Sequence, residues 1–174
     1  GFDNGIFVSM DDGGDGADPF DTVWGTFENN SIKTLGNYNK GGWGIARFHN
    51  FICEATGYLG NVDNGKVMGL AAYGKVEEDL YKKLKKFLVV SEDGFSAKFL
   101  LRHNPQRSKP RYEKLKLDSY EFYKVINTSN PPAELKEITK YYSSINIAAT
   151  GQRIVEDVAL EIISNMLNFT KKKK

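Results

Sequence analysis

The spacing of hydrophobic residues divides the chain into a strand-rich first part and a helical second part. Three segments show the apolar runs, β-branched residues or alternation typical of strands, and they cover residues 5–10, 21–27 and 31–36. The polar sequence Glu28-Asn29-Asn30 separates the last two segments as a hairpin turn. We therefore predict an antiparallel meander of three strands over about 5–36, in which the first strand is the most buried.

The part from about residue 43 to residue 170 is predicted to be mainly helical, and residues 91–130 are its less regular section. The first helix has an apolar face followed by two glycines, namely Ile45, Phe48, Ile52, Ala55, Gly57 and Gly60. The segment 77–90 predicts an amphipathic helix, with an apolar face formed by Leu80, Leu84, Phe87 and Leu88. A hairpin is predicted within 91–100, and the basic, proline-containing segment that follows predicts an exposed loop.

Two more helices complete the predicted order. One begins near Pro132, whose missing N–H costs nothing in a first turn, and the last covers about 146–168. The wide apolar stripe of the last helix indicates heavy burial. Strands followed by helices indicate an α+β or α/β fold, in which a short mixed sheet is packed by helices.

Composition limits the classes of function. The chain has 174 residues and a net charge of +2, and the lysines at 171–174 supply more than that excess. A nearly neutral body gives no reason to expect nucleic acid or a membrane surface as a partner. The single cysteine, Cys53, excludes an internal disulfide and a cysteine-based zinc site. No apolar run approaches the ~18 residues of a membrane span, so we expect a cytoplasmic protein.

An acidic, glycine-rich turn follows the first predicted strand. Asp11 ends that strand, and Gly13, Gly14, Asp15 and Gly16 follow it. Glycines allow close approach of a ligand, successive N–H groups can bind an anion, and a carboxylate can hold a divalent metal. An ordinary Asp/Gly hairpin turn is the simpler interpretation. A calcium loop of the EF-hand type does not fit, because its third position would be Gly13 and its twelfth Thr22.

A second segment, VDNGKVMGLAAYG at 62–74, suggests either close helix packing or the wall of a ligand site. Together with the acidic turn and the segment NIAATGQRIVEDV, it resembles the carbamoyltransferase family of the nodulation-protein-U and cephamycin/tobramycin type. The residues that match its motifs are Thr56, Leu59, Gly60, Lys66, Met68, Gly69, Leu70, Ala71, Tyr73, Gly74, Ile147, Ala148, Gln152 and Glu156. The resemblance covers roughly residues 2–170, and the match to K-x-M-G-L-A-x-Y-G is its most specific part.

The resemblance implies an actin-like, Kae1-like ATPase fold and a two-stage reaction. A carbamoyl group from carbamoyl phosphate is activated with ATP as carbamoyl-adenylate and passed to a hydroxyl of a sugar or natural product. It also implies a divalent metal ion, for which Asp11 matches a ligand. Lys66 is expected to face the negative charge of the ligand, and Tyr73 to stack on it or donate a hydrogen bond. Gly13, Gly14, Asp15, Gly16, Met68 and Gly69 complete the predicted nucleotide site.

Several features depart from the family pattern. Asp12 replaces a usual glycine, no H-H-x-x-H-A motif precedes the acidic turn, and the only histidines are His49 and His103. We expect His49 to be structural and His103 to be exposed. The sequence is therefore interpreted as part of a Kae1-like domain without its YrdC-like partner domain, inactive alone and prone to self-association. The alternative is a non-catalytic binding or regulatory domain on the same scaffold.

Overall fold

The computed structural model describes residues 3–11, 22–38, 44–60, 62–101 and 133–171. Its strands are β1 (Asn4–Met10), β2 (Thr22–Glu28), β3 (Ser31–Tyr38), β4 (Leu88–Val90) and β5 (Ala97–Phe99). Its helices are α1 (Ile45–Ala55), α2 (Asn64–Ala71), α3 (Glu78–Lys85), α4 (Ala133–Tyr141) and α5 (Ser144–Lys171). The predicted mixture of strands and helices is confirmed.

The predicted three-stranded meander is also confirmed. The strand order is β1-β2-β3, both pairs are antiparallel, and Glu28 lies opposite Asn4 on one side and Ser31 on the other. The hairpin turn between β2 and β3 has positive φ angles at both central residues, 46° at Asn29 and 63° at Asn30. Asparagine tolerates this backbone better than most residues, and such a turn matches the twist of the two strands.

The prediction that the first strand is the most buried is wrong. Every residue of β1 is exposed or partly exposed, whereas β2 buries Thr22, Trp24 and Gly25. The physical reason is that β2 is the central strand of the sheet and that the rings of Phe95 and Phe169 pack against Trp24. An apolar run alone does not distinguish a central strand from an edge strand.

The first of two compact units comprises residues 1–48, 84–100 and 154–174. It contains the meander, the β4–β5 hairpin and the last part of α5. Trp24 is buried between two aromatic rings, with centroid distances of 5.0 Å to Phe95 and 5.7 Å to Phe169. Asn165 of α5 donates a hydrogen bond of 3.0 Å to the carbonyl of Gly94 in the hairpin turn. Trp24 and the turn at Gly94 thus account for how α5 packs in this unit.

The amphipathic helix predicted over 77–90 is shorter in the structure. It ends at Lys85, and Leu88 begins strand β4, which pairs antiparallel with β5. Leu88 is buried, as the helical spacing required, but it is buried as a strand residue. The backbone N–H of Leu100 donates to the carbonyl of Phe87, which extends the hairpin that was predicted within 91–100.

The second compact unit comprises residues 49–83 and 101–153. It contains the end of α1, helices α2 and α4, most of α3 and the first part of α5. The buried apolar residues of this unit are Phe51, Ile52, Cys53, Ala55, Leu59, Val67, Leu80, Ile138, Ile147, Ala148 and Ala149. Helices α1 and α5 approach closely at Gly151, where a β-carbon would fall 2.7 Å from the side chain of Ile52. Among the described helices, none is long and apolar enough to cross a membrane.

Candidate functional site

The end of α1 determines where the candidate site begins. Gly57 has a φ of 87°, and the N–H groups of Gly57 and Tyr58 donate to the carbonyls of Glu54 and Cys53. This pair of hydrogen bonds is the Schellman arrangement, which ends a helix at a glycine with left-handed backbone. The hydroxyl of Thr56 donates a further bond of 2.8 Å to the carbonyl of Cys53. The chain therefore turns sharply before the Leu59-Gly60 pair.

Asp63 organises the start of α2. One carboxylate oxygen accepts a 3.1 Å hydrogen bond from the N–H of Leu59, and the other lies 2.6 Å from the ammonium of Lys66. Its backbone carbonyl accepts from the N–H groups of Lys66 and Val67, and its own N–H donates to the carbonyl of Leu59. The bonds from Lys66 and from the N–H of Leu59 hold the pKa of Asp63 below its usual range. The carboxylate is thus charged at neutral pH and fixed by both neighbours.

The predicted ligand residues of α2 and of its following turn are exposed. Val67 is buried at 1% exposure, whereas Met68 is 54% exposed and Tyr73, in the turn after the helix, is 81% exposed. The side chain of Lys66 is 67% exposed although it pairs with Asp63. A β-carbon on Gly69 would meet nothing within 4 Å. The structure therefore brings Lys66, Met68, Gly69 and Tyr73 onto one short helix and its following turn.

The turn after α2 packs on the first part of α5. A β-carbon on Gly74 would fall 2.0 Å from the carbonyl oxygen of Ile145, so only glycine fits there. The side chain of Asn146 accepts from the N–H of Lys75 at 3.0 Å and donates to the carboxylate of Glu77 at 2.6 Å. Two motifs that are about seventy residues apart thus meet in one unit, and Gly74 is a packing position.

A buried polar cluster joins α1 to the start of α2. Asn64 donates a 3.0 Å bond to Asn50 and accepts a 3.2 Å bond from the thiol of Cys53, whose sulfur lies 3.7 Å from Nδ1 of His49. Burial raises the pKa of the Cys53 thiol to about 12, and the nearby carboxylates add to the effect. Burial lowers the pKa of His49. The lowered pKa of His49 and the raised pKa of Cys53 keep both groups neutral at physiological pH, in agreement with the structural role predicted for His49.

Asp63, Asn64 and Asn146 were not predicted from the sequence as parts of this region. A spacing signal existed for Asp63, because an acidic residue three positions before a lysine faces it on a helix. No comparable signal existed for Asn146, whose hydrogen-bond partners lie far away in the sequence.

The predicted metal ligand Asp11 directly follows β1, is exposed, and belongs to the first unit. Gly13, Gly14, Asp15 and Gly16 lie outside the described residues, as does His103. Within the described ranges, no group of three or more His, Cys, Asp or Glu side chains could hold a metal ion. The described residues therefore do not fit a metal site, and the metal-binding role of Asp11 stays a prediction.

Comparison with known families identifies the class of protein. The model of the carbamoyltransferase N-terminus matches residues 18–174, a range that includes α2, its following turn and α5. The chain belongs to this carbamoyltransferase family. A search of curated proteins found no match.

Proposed function

We propose that the chain contributes to an O-carbamoyltransferase, which passes a carbamoyl group from carbamoyl phosphate, through an ATP-derived carbamoyl-adenylate, to a hydroxyl of a sugar or natural product. The family supports carbamoyl transfer in general. The acceptor, the adenylate route, the Kae1-like relationship and the YrdC-like partner domain are parts of the proposal. We also propose that the 174-residue chain gives no turnover alone.

The exposure of several residues in the motif at 66–74 links the proposal to particular side chains. The motif at 66–74 contains residues that packing requires, such as Val67 and Gly74, and residues that packing does not use. Met68, on α2, and Tyr73, in the turn after it, are large and largely exposed side chains. Large exposed apolar side chains are a feature of binding surfaces. This surface is therefore the best candidate for the ligand site within the described residues.

The side chains of this surface suit a nucleotide or a carbamoyl phosphate. Lys66 supplies a positive charge for phosphate oxygens, and Tyr73 supplies a ring and a hydroxyl for a base or a carbonyl. The open space at Gly69 lets a ligand approach the helix backbone. Water releases phosphate from carbamoyl phosphate to leave carbamate, and a carbamate oxygen then bonds to the α-phosphorus of ATP, which releases pyrophosphate and gives carbamoyl-adenylate. In the transfer, the acceptor oxygen bonds to the carbamoyl carbon, the bond to the adenylate oxygen breaks, and AMP and the hydroxyl proton leave.

The test is transfer of labelled carbamoyl phosphate to a panel of sugar and natural-product alcohols by the complete open reading frame. We expect ATP-dependent transfer, and a loss of about tenfold to a hundredfold in kcat/KM for Lys66→Met, as for a hydrogen bond to a charged group. Lys82→Met is the matched control, because Lys82 is exposed and pairs only weakly with Glu78 at 3.4 Å. Binding of ATP without transfer to any acceptor would instead support a non-catalytic binding domain.

A further inference from the structure

Asp63 is a charged side chain in a buried position. Its side chain is 5% exposed, whereas that of Lys66 is 67% exposed. Burying a carboxylate is unfavourable unless hydrogen bonds and opposite charges compensate. The N–H of Leu59 and the ammonium of Lys66 provide that compensation at 3.1 Å and 2.6 Å.

The carboxylate does not act as an ordinary helix cap. Asp63 occupies the N-cap position of α2, but its side chain makes no capping hydrogen bond to the helix backbone. A capping carboxylate would accept from an N–H of the first turn. Asp63 instead connects the turn at Leu59 to the side chain of Lys66. Helix capping therefore does not account for its position.

We propose that Asp63 is a positioning residue, which holds the ammonium of Lys66 at the start of α2 for a phosphate-bearing ligand; this inference rests on the role proposed above for Lys66. An ammonium has three donor hydrogens, and the bond to Asp63 uses one of them. The exposure of Lys66 leaves it within reach of solvent and ligand. A lysine without such a partner would occupy many rotamers, and a ligand would have to order it on binding.

The Asp63→Asn variant distinguishes the positioning of Lys66 from the hydrogen bond that Asp63 accepts from the N–H of Leu59. The asparagine keeps a side-chain oxygen for the N–H of Leu59 but loses the charge that holds Lys66. In the complete open reading frame, we expect about a tenfold rise in KM for carbamoyl phosphate or ATP, with a smaller change in kcat. The Asp63→Asn, Lys66→Met double variant is expected to be no worse than Lys66→Met alone, because both changes remove one interaction. Glu78→Gln, which breaks the exposed pair with Lys82, is the matched control and should leave KM unchanged.

The outcomes separate this inference from the proposed function. An unchanged KM in Asp63→Asn, or additive effects in the double variant, overturns the role of Asp63 while the proposed function stands. Turnover that is insensitive to Lys66→Met overturns it as well. Absence of turnover in the unsubstituted protein counts against both. If Asp63→Asn does not fold, Asp63→Glu keeps the charge but displaces the ammonium. It should raise KM in a protein that still unfolds cooperatively, and an unchanged KM contradicts the inference.

Discussion

Gly74 lies against the backbone of Ile145 so closely that a β-carbon on Gly74 would fall 2.0 Å from the carbonyl oxygen of Ile145. The same β-carbon would lie 2.9 Å from the β-carbon of Ala149. Neither neighbour is the flexible end of a side chain, so the helix or the turn would have to move. This contact sets the distance between the turn after α2 and the first part of α5.

Gly74→Ala should therefore destabilise the protein, by about 1–3 kcal/mol or more in the free energy of unfolding, as overpacked sites do. Gly69→Ala is the matched control, because nothing lies within 4 Å of the added carbon. Alanine favours a helix over glycine by about 1 kcal/mol, so Gly69→Ala should be neutral or stabilising. Urea unfolding measures both variants. Equal stabilities for the two alanine variants would contradict the packing role of Gly74.

The two glycines also distinguish packing from ligand binding. If the open space at Gly69 admits a ligand, Gly69→Ala should reduce kcat/KM while the melting temperature is unchanged or higher. Activity is measured in the complete open reading frame, and stability in the same preparation. A fully active Gly69→Ala variant would remove Gly69 from the proposed site, but it would not affect the argument for Gly74.

Thr150 gives a second test of the attachment between the turn and α5. Its hydroxyl oxygen accepts a 3.0 Å bond from the N–H of Glu77, and its side chain is fully buried. Thr150→Val keeps the shape and leaves that N–H without its acceptor, which should cost about 1–3 kcal/mol. Thr170→Val is the control, since its hydroxyl donates only to a carbonyl of its own helix, that of Leu167. Equal unfolding free energies for the two valine variants would argue against the role of Thr150.

The sequence predicted the elements whose signals are local. Alternation and the Asn29-Asn30 turn placed the meander, and the 3.6-residue period placed α1 and α5. Local patterns predicted the meander with β2 at its centre, but not the contacts with Phe95 and Phe169 that bury Trp24. They also extended a helix through Leu88, because a buried leucine at helical spacing looks the same whether the chain continues as a helix or turns into a strand.

The candidate site was predictable where a family motif marked it. The motif indicated Lys66, Met68, Gly69 and Tyr73, and the structure adds that these residues are exposed while Gly74 is a packing residue. Asp63 and Asn146 depend on side-chain orientation and on contacts between distant segments. A single sequence contains no pattern that predicts such contacts, so these two residues are identified only from the structure.

Cys53 should be unreactive in the folded protein. Its side chain is fully buried, and its pKa is raised to about 12, so the nucleophilic thiolate is essentially absent at neutral pH. We expect negligible reaction with a thiol reagent under native conditions and reaction of the single thiol in denaturant. The control is the rate for a free thiol such as glutathione under the same conditions. Rapid modification of the native protein would show that the start of α2 opens readily.

His49 should make stability depend on pH near neutrality. Burial lowers its pKa in the folded protein below the ordinary value of 6.5. Between these two pKa values the unfolded chain binds a proton that the folded protein does not, so stability falls as pH decreases through this window. Above about pH 7 His49 is neutral in both states and contributes no slope.

The measurement is urea unfolding of the unsubstituted protein and of His49→Gln from about pH 5 to about pH 8. The unsubstituted protein should lose at most about 1.4 kcal/mol per pH unit more than the variant as pH falls below about 6.5. Comparing the two proteins removes the contributions of other titrating groups. Parallel pH dependences would mean that His49 is protonated as readily in the folded protein as in the unfolded chain. The neutral cluster of His49, Cys53 and Asn64 would then not describe the protein in solution.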